Sequence, residues 1–192
     1  MQRSDIIQAA AQIFRQKGYH GTSMQDIADA VHLQKASLYH HISGKQEILV
    51  DILDRALGIL IEDIEAVAKS EIKPEEKVRQ AMQAYVGRLS EDTDLAAVLM
   101  QEYRSLADDL RVAHIARRDR LESLWREIIK EGIESGDFRH TDEVIATFAL
   151  MGALNWMVTW YQPGGRLSPQ EIANEFGDTF IKGLWSGRDS SR

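Results

Sequence analysis

The segment QKASLYHHISGK, residues 34–45, gathers Lys35, Ser37, Tyr39, His40, His41 and Lys45 into twelve positions. Four of the six histidines fall in the first 41 residues. Adjacent helical residues point about 100° apart, so His40 and His41 are poorly placed to share one metal ion. Cysteine is absent, which excludes thiolate ligands and disulfides. No metal site, cofactor or catalytic group is therefore expected. Lysine, imidazole and hydroxyl groups suit phosphate oxygens, and small Ala36 permits close approach to a thymine methyl.

The net charge of −7 argues at first against a polyanionic partner, but its distribution does not. Residues 1–50 hold five Lys/Arg against four Asp/Glu, a net +1, and the other 142 residues carry −8. A patch rather than the total decides whether nucleic acid can bind. Hydrophobic content of 44% and charged content of 28% are those of an ordinary globular chain. No run of about 18 apolar residues appears, which argues against a membrane partner. The first residues, MQRSDIIQAAAQIF, lack an apolar signal stretch. A cytoplasmic location is the expectation.

Helical spacing runs through the chain and strand-like alternation is missing, so the fold class is all-α. Ile6, Ala10, Ile13 and Phe14 form one stripe, stopped at Lys17-Gly18. Thr22 or Ser23 can cap the next helix, carrying Ile27, Ala28 and Val31. A third short helix is expected over 35–41, with Leu38 inward. Ser43-x-x-Gln46 reads as a capping box for a long helix reaching about Lys69. Further helices are expected at 74–90, 93–105 and 108–135, from Thr141 or Asp142 to Tyr161, and after Ser168-Pro169. The tail GRDSSR is expected to fray.

Three short helices with a tight second connection make a helix-turn-helix, whose second helix enters the major groove. That division gives residues 1–46 as a DNA-binding head and 47–192 as a larger helical body. The stretch TSMQDIADAVHLQKASLYHHISGKQEIL resembles the head of the TetR family of bacterial transcriptional repressors. The resemblance rests on Thr22-Ser23, Ile27-Ala28, Lys35, Ser37-Leu38-Tyr39, His41 and Lys45 with the apolar pair after it. It implies about nine helices, a homodimer, ligand binding and dimerisation by the body 47–192, and release from a double-stranded operator by a small effector. It further implies that Tyr39 meets a phosphate and that Lys35, Ala36, Ser37 and His40 face the groove. His41 and Lys45 would meet the backbone, and Thr22, Ser23 and Gln25 would bind phosphate at a helix start. Two positions depart from the pattern: the turn has His32 where glycine is usual, and Gln34 stands at the cap position where serine is usual.

The body carries no G-x-S-x-G, H-E-x-x-H or phosphate-binding glycine loop, so an enzyme is not expected. The segment LMGALNWMVTWYQPGG places two tryptophans near one helix end. Core and interface packing is the first explanation of Trp156 and Trp160. The last two helices are apolar enough to build a homodimer as a four-helix bundle, with Ala149, Gly152 and Ala153 allowing close approach. Arg117-Arg118, Gly136-Asp137-Phe138, Leu154-Asn155-Trp156, Trp160-Tyr161-x-Pro163-x-Gly165 and Leu167-Ser168 resemble the branch of the family that senses acyl-coenzyme A thioesters. An acyl group needs apolar walls, for which Leu99, Met100, Tyr103, Leu121, Trp125, Phe148, Met151 and Trp156 are candidates. A coenzyme A head needs cations, and Arg104 and Arg117 stand for the run Arg88, Arg104, Arg111, Arg117, Arg118 and Arg120. Surface salt bridges are the competing explanation of each arginine. The rival readings are a TetR-type sensor of a drug or free aromatic compound, a small helical enzyme, and an architectural DNA-binding protein.

Overall fold

Caps and breakers set the helix ends close to where the spacing puts them. The computed structural model describes residues 2–184. Among them are nine α-helices and no strand: α1 Arg3–Lys17, α2 Met24–Ala30, α3 Lys35–Tyr39, α4 Lys45–Ala68, α5 Pro74–Glu91, α6 Thr93–Gln101, α7 Asp108–Ser135, α8 Glu143–Trp160 and α9 Pro169–Leu184. A 3₁₀ turn, Tyr103–Ser105, follows α6, so the helix expected over 93–105 is broken in two. Gly18 ends α1 at φ +73°. Ser23 caps α2 in a reciprocal box with Asp26, and Asp142 caps α8 by accepting from Val144 N and Ile145 N. Ser168 does the same for α9 through Glu171. The fraying expected of GRDSSR lies outside the described residues.

One expected cap is replaced. Ser43 N and Oγ both donate to Glu47 rather than to Gln46. Gln46 instead donates to Tyr19 Oη at 2.7 Å and to Ser105 O at 2.8 Å. Arg3, 44 residues upstream, sits on the other carboxylate oxygen of Glu47.

Backbone proximity divides the chain into two compact units, Met1–Gly58 with Asp92–Arg117, and Ile59–Glu91 with the chain from Arg118 onward. In the first, α1 packs on α2 and α6, and α2 on α3. Its core holds Ile6, Ala10, Phe14, Ile27, Leu38, Ile48 and Leu49, all at most 1% exposed. The division expected at residue 46 falls inside this packing unit, which also takes in the first half of α4, α6 and the start of α7. Arg15 donates to Thr93 and Asp94, and Gln8 donates to Asp92, fastening the start of α6 to α1.

In the second unit α5 packs against α9 and α8. Val78, Ala81, Met82, Tyr85 and Val86 of α5 are buried, with Leu124, Trp125 and Ile128 of α7 and Leu150, Leu154 and Met157 of α8. The buried Lys77 donates to Ala68 O at 2.9 Å and to Glu131, closing the last turn of α4. Gly132 lies under the ring of Phe138, where an added Cβ would fall 2.2 Å from a ring carbon. Glycine there lets the chain fold tightly back after α7.

Helix α8 amends the reading of membrane propensity. It is 18 residues long with a mean hydropathy of 1.2, enough by length and composition to cross a membrane, and only 22% of it is buried. Its outer face runs Ile145, Phe148, Ala149, Gly152, Trp156, Thr159 and Trp160, a continuous helical stripe.

Candidate nucleic-acid interface and effector region

The DNA-facing candidates form a surface because one residue is held inward. Leu38 is fully buried, which turns Lys35, Ala36, Tyr39, His40 and His41 of α3 and its following turn to solvent. Tyr39 is 46% exposed, a large ring with no cover in the single chain. Lys35 has no acidic partner among the described residues, unlike Lys17, which pairs with Asp26, and Arg3, which pairs with Glu47 and Asp51. Ser37 is half-buried.

The turn between α2 and α3 explains the first departure from the family pattern. His32 has φ +54°, the only positive φ outside glycine among the described residues. Leu33 N donates to Ala28 O at 2.9 Å and His32 N to Asp29 O at 3.1 Å, the paired bonds of a Schellman ending. Histidine is among the residues that tolerate this region, at a cost glycine avoids. At the second departure, Gln34 occupies the N-cap of α3 without a side-chain capping bond.

At the start of α2, Ser23 and Gln25 are exposed, while Thr22 is buried with its hydroxyl donating to Gly18 O at 2.8 Å. Thr22 thus closes the loop beneath the candidate phosphate contacts. Lys45 also works from inside. Its Nζ donates to Tyr19 O at 2.7 Å and Thr22 O at 2.6 Å and stands 4.3 Å from the centre of the Tyr19 ring. An ammonium has three hydrogens, so one remains for an outside acceptor. The Glu47 carboxyl is held down at about 2 by hydrogen bonds from Ser43 and then from Arg3. Asp26 is also held far below the usual range, by Lys17 first and then Ser23.

The effector candidates divide between the two units. In the first, Leu99 is buried, Met100 half-buried, and Tyr103 stacks on His114 with centroids 6.1 Å apart. Arg104 is exposed and lies over the Tyr103 ring at 5.5 Å. Arg117 is bound to the Asp54 carboxylate and backbone. In the second, Leu121 and Trp125 are buried and Met151 is half-buried, whereas Phe148 and Trp156 are 52% and 65% exposed on the outer face of α8. Of the remaining arginines in the run, Arg88 pairs with Asp63 and Glu91, Arg111 with Asp108, and Arg120 with Glu65 and Glu127. Salt bridges thus occupy most of the expected cation cluster.

The second unit also carries a cavity of about 320 Å³ at the α8–α9 connection, lined by Trp160, Tyr161, Gln162, Gly165, Arg166, Leu167 and Ile172. Among these, Arg166 is the residue that sequence reasoning misses, although it directly follows the Trp-Tyr-x-Pro-x-Gly signal. Aromatic faces beside a guanidinium can take a planar base and a phosphate.

The comparisons with known proteins agree with this geometry. Residues 6–52 match the family described as bacterial regulatory proteins, tetR family, and residues 71–184 match the tetracyclin repressor-like C-terminal domain. The chain belongs to the TetR family. The HTH-type transcriptional repressor KstR2 of Mycobacterium tuberculosis is 27% identical over 184 residues, covering 95% of this chain and 92% of that protein. The TetR family regulator PfmR of Thermus thermophilus superposes with a TM-score of 0.87 at 37% identity, covering 93% and 98%. AibR in complex with isovaleryl coenzyme A and operator DNA superposes at 0.83 with 26% identity, covering 95% and 97%. This TetR-family chain is accordingly a transcriptional regulator with a helix-turn-helix head, and its relatives are regulators rather than enzymes.

Proposed function

We propose that this protein is a cytoplasmic homodimeric repressor, released from its operator by an acyl-coenzyme A thioester. The observation that carries the DNA side is α3, where one buried leucine presents Lys35, Ala36, Ser37, Tyr39 and His40 together. Tyr39, His41, Lys45, Ser23 and Gln25 take phosphates, with Thr22 shaping the loop behind them. Residues 1–46 read DNA and 47–192 serve effector binding and dimerisation.

The outer stripe of α8 supports the dimer. Phe148 and Trp156 are more than half exposed on this apolar helix, and a contiguous apolar face of this kind marks a contact with another protein surface. A second copy pairing through α8 and α9 covers it and sets two heads on half-sites about 34–36 Å, or a multiple, apart.

The acyl-coenzyme A class draws support from AibR, whose structure contains isovaleryl coenzyme A, and from the cavity that places Trp160, Tyr161 and Arg166 together. Leu99, Met100, Tyr103, Leu121, Trp125 and Met151 supply apolar surface within their units, and exposed Arg104 supplies charge, while Arg117 is held by Asp54. Near-complete switching requires the effector to prefer the released conformation by about 5.5 kcal/mol. The test is a thermal-shift screen with isovaleryl-, octanoyl- and phenylacetyl-coenzyme A, the free acids and cationic dyes, followed by operator mobility shifts. Stabilisation and operator release by a thioester alone are expected. Stabilisation by dyes or free acids alone moves the protein to the drug or aromatic-compound sensors.

A further inference from the structure

Three helices of the second unit bring together Tyr85 of α5, Trp125 of α7 and Asn155 of α8. Tyr85 Oη donates to Asn155 Oδ1 at 2.6 Å, and the Tyr85 and Trp125 rings meet edge to face with centroids 6.0 Å apart. Tyr85 and Trp125 are at most 1% exposed. The indole Nε1 of Trp125 is buried with no acceptor within hydrogen-bond distance among the described residues.

A buried donor without an acceptor costs about 1–3 kcal/mol, and native cores tolerate few. Tyr85 Oη and the second lone pair of Asn155 Oδ1 remain as acceptors, but neither accepts from the indole in this structure. Tyr85 gives its one hydrogen to Asn155, which leaves the amide Nδ2 as a further donor. Turning the amide over exchanges that for a spare phenolic O–H, so the pair offers an outside acceptor one donor either way. The indole N–H and one donor of the pair are thus both open to an accepting oxygen.

Charge narrows the choice. Burial pushes the Tyr85 phenol well above its ordinary range, opposed by the nearby Arg118. The same low-polarity surroundings penalise a buried carboxylate. A neutral carbonyl satisfies the donors without that penalty.

We infer that Trp125 Nε1–H, with the Tyr85–Asn155 pair, reads the carbonyl oxygen of the effector's acyl group. This rests on the effector reading above and assigns Trp125 a donor role beyond that of an apolar wall.

The test compares isovaleryl-, octanoyl- and phenylacetyl-coenzyme A with their thioether counterparts, which lack only the carbonyl oxygen. The intact protein is expected to bind the best thioester about tenfold more tightly than its thioether, and Trp125→Phe to bind the two alike. Equal binding of thioester and thioether by the intact protein, or full discrimination retained by Trp125→Phe, overturns the inference while leaving the effector class standing. No response to any thioester removes both. Should Trp125→Phe not fold, the most slowly exchanging indole N–H resonance of the intact protein serves instead. It shifts downfield with the thioester and not with the thioether, and an unmoved resonance overturns the inference.

Discussion

Lys45 stands over the ring of Tyr19, 4.3 Å from its centre, and donates to the Tyr19 carbonyl at 2.7 Å. With its second bond to Thr22 O, it ties the first turn of α4 to the loop ahead of α2. Charged hydrogen bonds contribute about 1.5–3 kcal/mol, and a cation over a ring about 0.5–1 kcal/mol. Lys45→Ala is therefore expected to lower stability by about 2 kcal/mol in urea unfolding. It should also weaken operator binding. Unchanged unfolding would show that the latch contributes nothing.

Tyr39 separates affinity from stability. Its ring is 46% exposed, so Tyr39→Ala should shift unfolding by less than about 0.5 kcal/mol. Operator binding should weaken at fixed salt, with the dimer intact. Lys35→Ala, which removes a cation with no acidic partner among the described residues, should reduce the slope of log affinity against log salt by about 1. Wild-type affinity and slope in both variants would remove α3 from the interface.

The left-handed turn at His32 gives a prediction in the stabilising direction. Left-handed backbone costs an L-residue about 1–2 kcal/mol, and glycine's extra unfolded-state freedom offsets about 0.5–1 kcal/mol of the relief. His32→Gly should raise stability by about 0.5–1 kcal/mol, and His32→Val should lower it. A destabilised glycine variant would mean that the imidazole makes a contribution larger than the backbone strain.

Glu47 sets an acid limit on the head. Its folded pKa of about 2 lies below the ordinary 4.5, because Ser43 and Arg3 bind the charged form. A depressed carboxyl pKa stabilises the fold at pH values above the unfolded one. That contribution fades as pH falls from about 4.5 through about 2. Glu47→Gln should flatten the loss of stability across this window, read from urea midpoints at stepped pH. An identical acid profile in the variant would locate the sensitivity elsewhere, with Asp26 the next group to test.

The outer stripe of α8 predicts the assembly. Trp156→Glu puts a charge at the 65% exposed ring position without touching the buried Leu150, Leu154 and Met157. Sedimentation should show a dimer for the wild type and a weakened or monomeric variant with its helical content kept. Operator binding should fall with dimerisation. A dimeric variant, or a monomeric wild type, counts against pairing through this face.

Much of the molecule is legible in the residues alone because helix ends are local events. Ser23 with Asp26, Asp142 with the amides two and three residues on, and Ser168 with Glu171 act within four positions, so their types and spacing suffice. The candidate recognition surface is equally local: burying Leu38 on a short helix determines which neighbours face out. Gly18 and the glycine-free turn at His32 are open to the same reading, since chirality limits which residues enter positive φ.

What only the tertiary structure decided concerns partners far apart in the chain. Gln46 is taken up by Tyr19 and Ser105 and Glu47 is shared between Ser43 and Arg3, and whether an arginine is available depends on acids such as Asp54 and Asp63 on another helix. The exposed face of α8 and the Trp125 indole, unpaired among the described residues, are likewise results of packing, because burial is a property of the surroundings and not of the residue. Local geometry follows from backbone sterics within a turn, whereas hydrogen-bond supply and charge pairing are settled only once distant helices compete for the same donors.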